Sequence, residues 1–265
     1  MANAVLPAIR LERDGNLGVI TLARPEVANA VNRAFAQSFK DIVAECNFDR
    51  TIGAVLIRAE GGLFCAGADR EAFAGAGARL PYLIRDITAD FHAGLIRLAH
   101  MRKPVVTAVQ GATAGAGFGL ALAGDIVVAA RSASLALNYP AMGLSPDAGT
   151  TWLLPRLVGV RKAQEMALLN TRLSADEALS LGLITRVVED ETLEAASLEI
   201  ARTLAAGPTR ALGAARALII EGLGKSYDEQ LQAEARSMIE TARDDGPEAD
   251  AAIYGARTPT LSSAA

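Results

Sequence analysis

Few side chains in this sequence can do chemistry. Its 265 residues include two cysteines, Cys46 and Cys65, and two histidines, His92 and His100. That is too few soft ligands for a Cys/His zinc cluster, and it rules out a disulfide scaffold. Glycine-rich stretches invite nucleotide readings, yet spacing rejects two of them. Gly115-Ala-Gly117-Phe-Gly119-Leu120 lacks the third glycine of a dinucleotide fingerprint, and no early βα turn precedes it. Gly224-Lys225-Ser226 has the tail of a phosphate loop, but Ile219 stands where the upstream glycine is required and the flanking segments read as helices. No GxSxG elbow is present, and no histidine follows Ser145. What the glycine turns can do is expose backbone. Small residues after a buried strand let a ligand approach main-chain N–H groups, and an N–H at a helix start has no intrahelical partner. Two turns fit, Ala66-Gly67-Ala68-Asp69 and Ala114-Gly115-Ala116-Gly117. If their strands are neighbours, each turn can aim one N–H at the same oxygen, forming an oxyanion hole.

Alternating strands and helices would position these turns. Residues 9–12 and 19–22 read as strands around Asp14-Gly15-Asn16, a hairpin signal. Residues 32–46 place Phe35, Phe39, Ile42 and Val43 on one helical face. Residues 53–57 form a buried strand, followed by the first glycine turn and a Gly/Ala-rich loop through Ala78. A helix over 86–101 ends at Lys103-Pro104, residues 105–109 are the next strand, 116–123 a helix and 126–129 a strand. Strands separated by helices imply parallel pairing through crossovers. Beyond Pro146 helices prevail, at 150–157, 161–169 and 174–181, the last with the capping box Ser174-Ala-Asp-Glu177. One strand, 184–188, interrupts them. Residues 1–188 are read as the core and 189–265 as a helical region that covers a neighbouring subunit.

Composition agrees with a large folded domain: 51% hydrophobic and 21% charged residues, with 26 Lys+Arg against 30 Asp+Glu, a net charge of −4. That balance gives no broad footprint for nucleic acid. Residues 104–124 carry no charge and reach membrane-spanning length, but five glycines and Gln110 argue for a buried strand, turn and helix. The first ten residues show no basic and apolar leader, and the cytoplasm is the expected compartment.

Arg24-Pro25-Glu-Val-Ala-Asn29-Ala30, Phe64-Cys-Ala-Gly-Ala-Asp69, Lys103-Pro-Val-Val-Thr-Ala-Val-Gln-Gly111, Ala114-Gly-Ala-Gly117, Gly124-Asp125 and Gly143-Leu-Ser-Pro-Asp-Ala-Gly-Thr-Thr151 resemble, in order, the crotonase (enoyl-CoA hydratase/isomerase) superfamily. Leu154-Pro-Arg-Leu-Val-Gly159, Leu173-Ser-Ala-Asp-Glu-Ala178 and Gly182-Leu-Ile extend the match over nearly the whole chain. The resemblance implies an α/β fold with a ββα-spiral core, a C-terminal helical trimerisation region, homotrimers or hexamers built as dimers of trimers, and an acyl-CoA thioester as substrate. Coenzyme A then enters with the substrate, and no separate cofactor or metal is expected. The oxyanion hole would fall on the N–H groups of Ala68 and Ala116, with Gly115 in the same turn. CoA contacts would fall on Val27, Ala28, Ala66 and Asp69, Asp69 acting as cap and positioner.

One departure from the family is decisive. The two glutamates with which its hydratases add water fall on Gly119 and Tyr139. Glycine has no side chain, and tyrosine acts as a base only with a strongly lowered pKa. Asp147 falls where other branches carry a catalytic carboxylate: phenylacetate-pathway isomerases, which this stretch most resembles, dihydroxynaphthoyl-CoA synthases and 4-chlorobenzoyl-CoA dehalogenases. The leading expectation is double-bond isomerisation, with Asp147 in an apolar pocket as the proton shuttle. The plainer reading of Asp147 is an N-cap for the next helix. The alternatives in function are an atypical hydratase, an aryl-CoA dehalogenase using Asp147 and His92, and a CoA- or RNA-binding relative without turnover. His92 and Tyr139 are expected in the acyl pocket wall with residues 73–83, Leu95 and Met142, a helix-surface or subunit-contact role being the alternative for His92, and His100 is expected to face solvent.

Overall fold

The computed structural model describes residues 7–244. Strands β1 (Ile9–Asp14) and β2 (Leu17–Leu22) form a hairpin closed by Gly15-Asn16, with Gly15 at φ +58° where an L-residue would be strained. Helix α1 (Arg33–Phe48) follows, capped by the Asn32 side chain, which accepts the Phe35 N–H. Next come β3 (Ala54–Ala59), α2 (Arg70–Ala76), α3 (Leu80–His100), β4 (Val105–Val109), β5 (Ala112–Ala114), α4 (Ala116–Leu122), β6 (Ile126–Ala130) and β7 (Ser134–Ala136). The chain continues through α5 (Thr150–Leu169), β8 (Arg172–Ser174), α6 (Ala175–Ser180), β9 (Arg186–Val188), α7 (Leu193–Ala205), α8 (Thr209–Gly222) and α9 (Tyr227–Asp244).

A six-stranded sheet in the order β1-β2-β3-β4-β6-β9 is parallel throughout except for the hairpin. A small second sheet, β5-β7-β8, stands beside it. Parallel strands covered on both faces are apolar on both faces. Val55, Ile57, Val105 and Val109 pack with Phe35, Phe39 and Phe91 from α1 and α3, while Leu56, Val106 and Ala108 pack with Leu193, Ala201 and Ala205 of α7. Thus α7, which lies beyond residue 188, covers the sheet's second face, and residues 245–265 of the same expected region fall outside the described residues. Arg216 of α8 reaches into the body of the protein, where it pairs with Asp125 and donates to the Ala99 and Met101 carbonyls.

The structure revises two readings. The stretch expected as loop through Ala78 is helical in two pieces, and α3 starts at Leu80, because Pro81 fits a first helical turn whose N–H groups need no intrahelical acceptor. The second sheet had no signal, since three-residue strands of small residues show no period. The expected helices at 150–157 and 161–169 are both present within α5, separated at Gly159, whose φ of +78° and ψ of 157° are not helical. The charge-free 104–124 stretch resolves into β4, β5 and α4, and among the described residues no helix is long and apolar enough to cross a membrane.

Candidate active site

The two glycine turns are fastened to each other. Cys65 bridges Thr113 in parallel fashion, and the Ala114 N–H donates to the Cys65 carbonyl at 3.0 Å. A Cβ on Gly67 would lie 2.8 Å from the Ala114 oxygen, and one on Gly117 would lie 2.3 Å from the Cys65 oxygen, so neither position has room for a side chain. Along the other edge, Val31 N–H donates to the Gly67 carbonyl and Asp69 N–H to the Val31 carbonyl. Ala68, between those two bonded groups, has an N–H with no acceptor among the described residues, and so does Ala116 at the first position of α4. Two free donors on fastened turns are what an oxyanion hole requires. Gly115 differs: its N–H is used by the Ala136 and Leu137 carbonyls, so it serves as the hinge at φ +55° and not as a donor.

The positions expected to contact CoA gather beside Ala68. Val27 and the left-handed Ala28 form one turn, and the Ala28 carbonyl accepts the Ala66 N–H at 3.0 Å. Asn29 secures that turn, accepting the Arg24 N–H and donating to the Glu60 and Leu63 carbonyls. Asp69 is committed: one carboxylate oxygen caps α2 through the Ala72 N–H, and the other pairs with Arg24 at 3.2 Å.

Asp147 is not a helix cap. The N-cap of α5 is Gly149, without a side-chain bond, and the Asp147 carboxylate turns instead to Tyr139, whose hydroxyl donates to Oδ1 at 2.6 Å. Burial, and then the carboxylate itself, push the Tyr139 hydroxyl well above the ordinary phenol range, so it remains a donor and is no base. Thr150, which the sequence reading left without a role, anchors the Asp147 main chain, donating to its carbonyl from N–H and Oγ1 at 3.1 and 2.8 Å. On the other side, His92 Nε2 stands 3.5 Å from Oδ2 and accepts the Ala148 N–H at 3.3 Å. His92 therefore belongs to the acid's own setting and is not merely wall. His100 is exposed, as expected. The expected apolar pocket is not closed among the described residues, since the Asp147 side chain is 29% exposed.

Gly119 explains why only one acid is present. A Cβ there would sit 2.4 Å from the Ala148 oxygen and 2.6 Å from its Cβ. The loop that presents Asp147 fills the place a side chain at 119 would take. Ala116 and Gly119 lie one turn apart on the same face of α4, which sets the free Ala116 N–H and the Asp147-Ala148 loop side by side.

Comparison with known proteins agrees. The model of the family described as enoyl-CoA hydratase/isomerase matches residues 12–253. The 1,2-epoxyphenylacetyl-CoA isomerase of Escherichia coli K12 is 39% identical over 216 residues, 81% of this chain and 82% of that one. A 4-chlorobenzoyl coenzyme A dehalogenase of Arthrobacter sp. is 31% identical, covering 87% of this chain and 84% of its own. A Thermobifida fusca YX crystal structure in complex with acetoacetyl-CoA is 30% identical, with a TM-score of 0.82 over 89% of this chain and 95% of that chain. The chain belongs to the enoyl-CoA hydratase/isomerase family, the crotonase superfamily, and has its fold.

Proposed function

We propose that this enzyme moves the double bond of an unsaturated acyl-CoA, with Asp147 as the proton shuttle. The observation that carries the reading is a single carboxylate, held through Oδ1 by Tyr139, on a loop that fills the space above Gly119. The thioester oxygen accepts from the Ala68 and Ala116 N–H groups, which stabilise the negative charge that develops there. Asp147 Oδ2 takes the proton from C2 of a 3-enoyl thioester, the electron pair spreads over the dienolate, and the same proton returns at C4. The product is the conjugated 2-enoyl thioester, with no net gain or loss of atoms. Val27, Ala28 and Ala66 border the CoA path, and Asp69, bound by Arg24 and α2, holds the turn that carries Ala68. The isomerase and acetoacetyl-CoA relatives support this substrate class.

Hydration by two glutamates has no second acid here. A chain without turnover is disfavoured by two unpaired amides on fastened turns together with a carboxylate buttressed by Tyr139. Dehalogenation has support from the Arthrobacter relative and from His92 beside Asp147, but the Nε2 lone pair of His92 is taken by Ala148 and is not free to activate water. Exposed Leu168, Leu169, Ile219, Tyr227 and Met238 on α5, α8 and α9 fit burial between subunits of the trimer that the resemblance implies.

The test compares Asp147→Asn with the wild type on 3-enoyl-CoA and 2-enoyl-CoA. Loss of isomerisation with acyl-CoA affinity retained is the expected result. Unchanged turnover overturns the assignment, and chloride release from a 4-chlorobenzoyl thioester replaces it with the dehalogenase.

A further inference from the structure

His92 meets the Asp147 loop with one nitrogen and two neighbours. Nε2 accepts the Ala148 N–H at 3.3 Å and stands 3.5 Å from Asp147 Oδ2. An amide N–H only donates, so Nε2 presents its lone pair and the neutral ring carries its proton on Nδ1. Between Nε2 and Oδ2 there is then no hydrogen, and Oδ2 is left as the unengaged oxygen of the shuttle. Protonating Nε2 inverts both contacts. Ala148 loses the acceptor of its N–H, and Oδ2 gains a charged donor. Ala148 also needs its restraints, since it is held at φ +54°, a conformation costly for a residue with a Cβ.

Most other charges near α3 pair among themselves or are exposed. On α1, Arg33 pairs with Asp86 and Lys40 with Asp90; Arg85 also binds Asp86; and Arg70 and Glu71 of α2 are exposed. The residues one turn from His92 on its own helix, Thr88, Ala89, Leu95 and Ile96, do not titrate. From the loop side, the ionisable groups are Asp147 and, through it, Tyr139. Helix α3 itself is fixed against α1, where a Cβ on Gly94 would meet the Phe39 ring at 2.6 Å.

We infer that His92 is a positioning residue and an acid-side switch for Asp147: as the neutral Nδ1–H tautomer it holds Ala148 and leaves Oδ2 free, and once protonated it occupies Oδ2. The inference deepens the isomerase reading and rests on Asp147 as the base. With only two histidines in the chain, the ring nitrogens of His92 can be observed in ¹⁵N-histidine protein and assigned with His100→Asn. The expected spectrum shows the Nδ1–H tautomer above the titration, with the Ala148 amide shifting as the ring protonates; an Nε2–H tautomer overturns the inference. In kinetics, His92→Gln keeps an acceptor that cannot be protonated, and its kcat is expected within ~3-fold of wild type at alkaline pH, without the acid-side fall that the ring imposes. His92→Phe removes the acceptor and is expected to lower kcat by ~10-fold or more with KM within ~2-fold. A His92→Gln profile identical to wild type overturns the switch. If Asp147→Asn keeps full turnover, the isomerase reading fails on its own, and the tautomer and the Ala148 shift still judge the contact; if Asp147→Asn is inactive and the tautomer is Nε2–H, only the His92 inference falls.

Discussion

Adding one methyl group at Gly119 tests whether the loop over that glycine sets the acid. In Gly119→Ala the new Cβ would lie 2.4 Å from the Ala148 oxygen, 2.6 Å from the Ala148 Cβ and 3.1 Å from its carbonyl carbon. Carbon atoms at rest in a core are about 3.5–4.0 Å apart, and the obstruction is backbone, so Ala148 must retreat by about 1 Å. Overpacking of this kind costs about 1–3 kcal/mol, which for a chain of this size lowers Tm by roughly 2–4 °C per kcal/mol. Asp147 moves with its neighbour, and a misplacement of about 1 Å can cost about 100-fold in rate. The assay is continuous ultraviolet detection of the conjugated thioester formed from 3-enoyl-CoA, with thermal unfolding measured in parallel. Gly62→Ala, at an exposed position with no atom within 4 Å of the new Cβ, is the control. A Gly119→Ala enzyme with wild-type kcat and Tm would refute the reasoning. By the same geometry, Gly119→Glu does not restore hydration, because the glutamate has no space in which to stand.

Three other outcomes follow from single contacts. Tyr139→Phe removes the hydroxyl that holds Oδ1 at 2.6 Å, and since a hydrogen bond to a charged group contributes about 1.5–3 kcal/mol, kcat is expected to drop by about 10-fold or more with KM little changed. Arg216→Met takes the buried guanidinium away from Asp125, whose side chain is 27% exposed, and from the Ala99 and Met101 carbonyls, costing about 1–3 kcal/mol in denaturant melts at neutral pH. Burial already holds the Asp125 carboxyl above its usual range, against the pull of Arg216, so the folded state binds its proton more readily than the unfolded state. Stability from such a group is present at low pH and lost as pH rises, so the Arg216→Met deficit should narrow on acidification; a deficit that widens would contradict this. Burial pushes both Cys46 and Cys65 thiols up to about 12, so neither should be alkylated at mildly alkaline pH until denaturant is added, as mass spectrometry would show.

The contact between the two glycine turns was legible in the sequence because glycine at 67 and 117 leaves a mark wherever two backbones must touch. Asp147 was legible as the one acid in an otherwise neutral motif, and the Ser174–Glu177 capping box formed as its spacing required. The relation between Asp147 and its supports was not legible. Thr150 and His92 lie 3 and 55 residues from it, and the histidine on α3 meets the loop only once the chain has folded. Gly119 showed that the usual acid was missing, but not that Ala148 takes its place, since a glycine in a sequence does not say what presses on it. The strands β5, β7 and β8 escaped notice because their pairing is dictated by neighbours far along the chain.

The donors proposed for the thioester oxygen are main-chain groups on turns that hydrogen bonds and methyl-free contacts hold together. That half of the machinery has no side chain to lose. A substitution elsewhere can change which carbon gains or loses a proton, or whether water attacks, while the grip on the thioester is inherited intact. Under the proposed function, carbonyl activation belongs to the fold, and the choice of reaction falls to the loop from Tyr139 to Thr150.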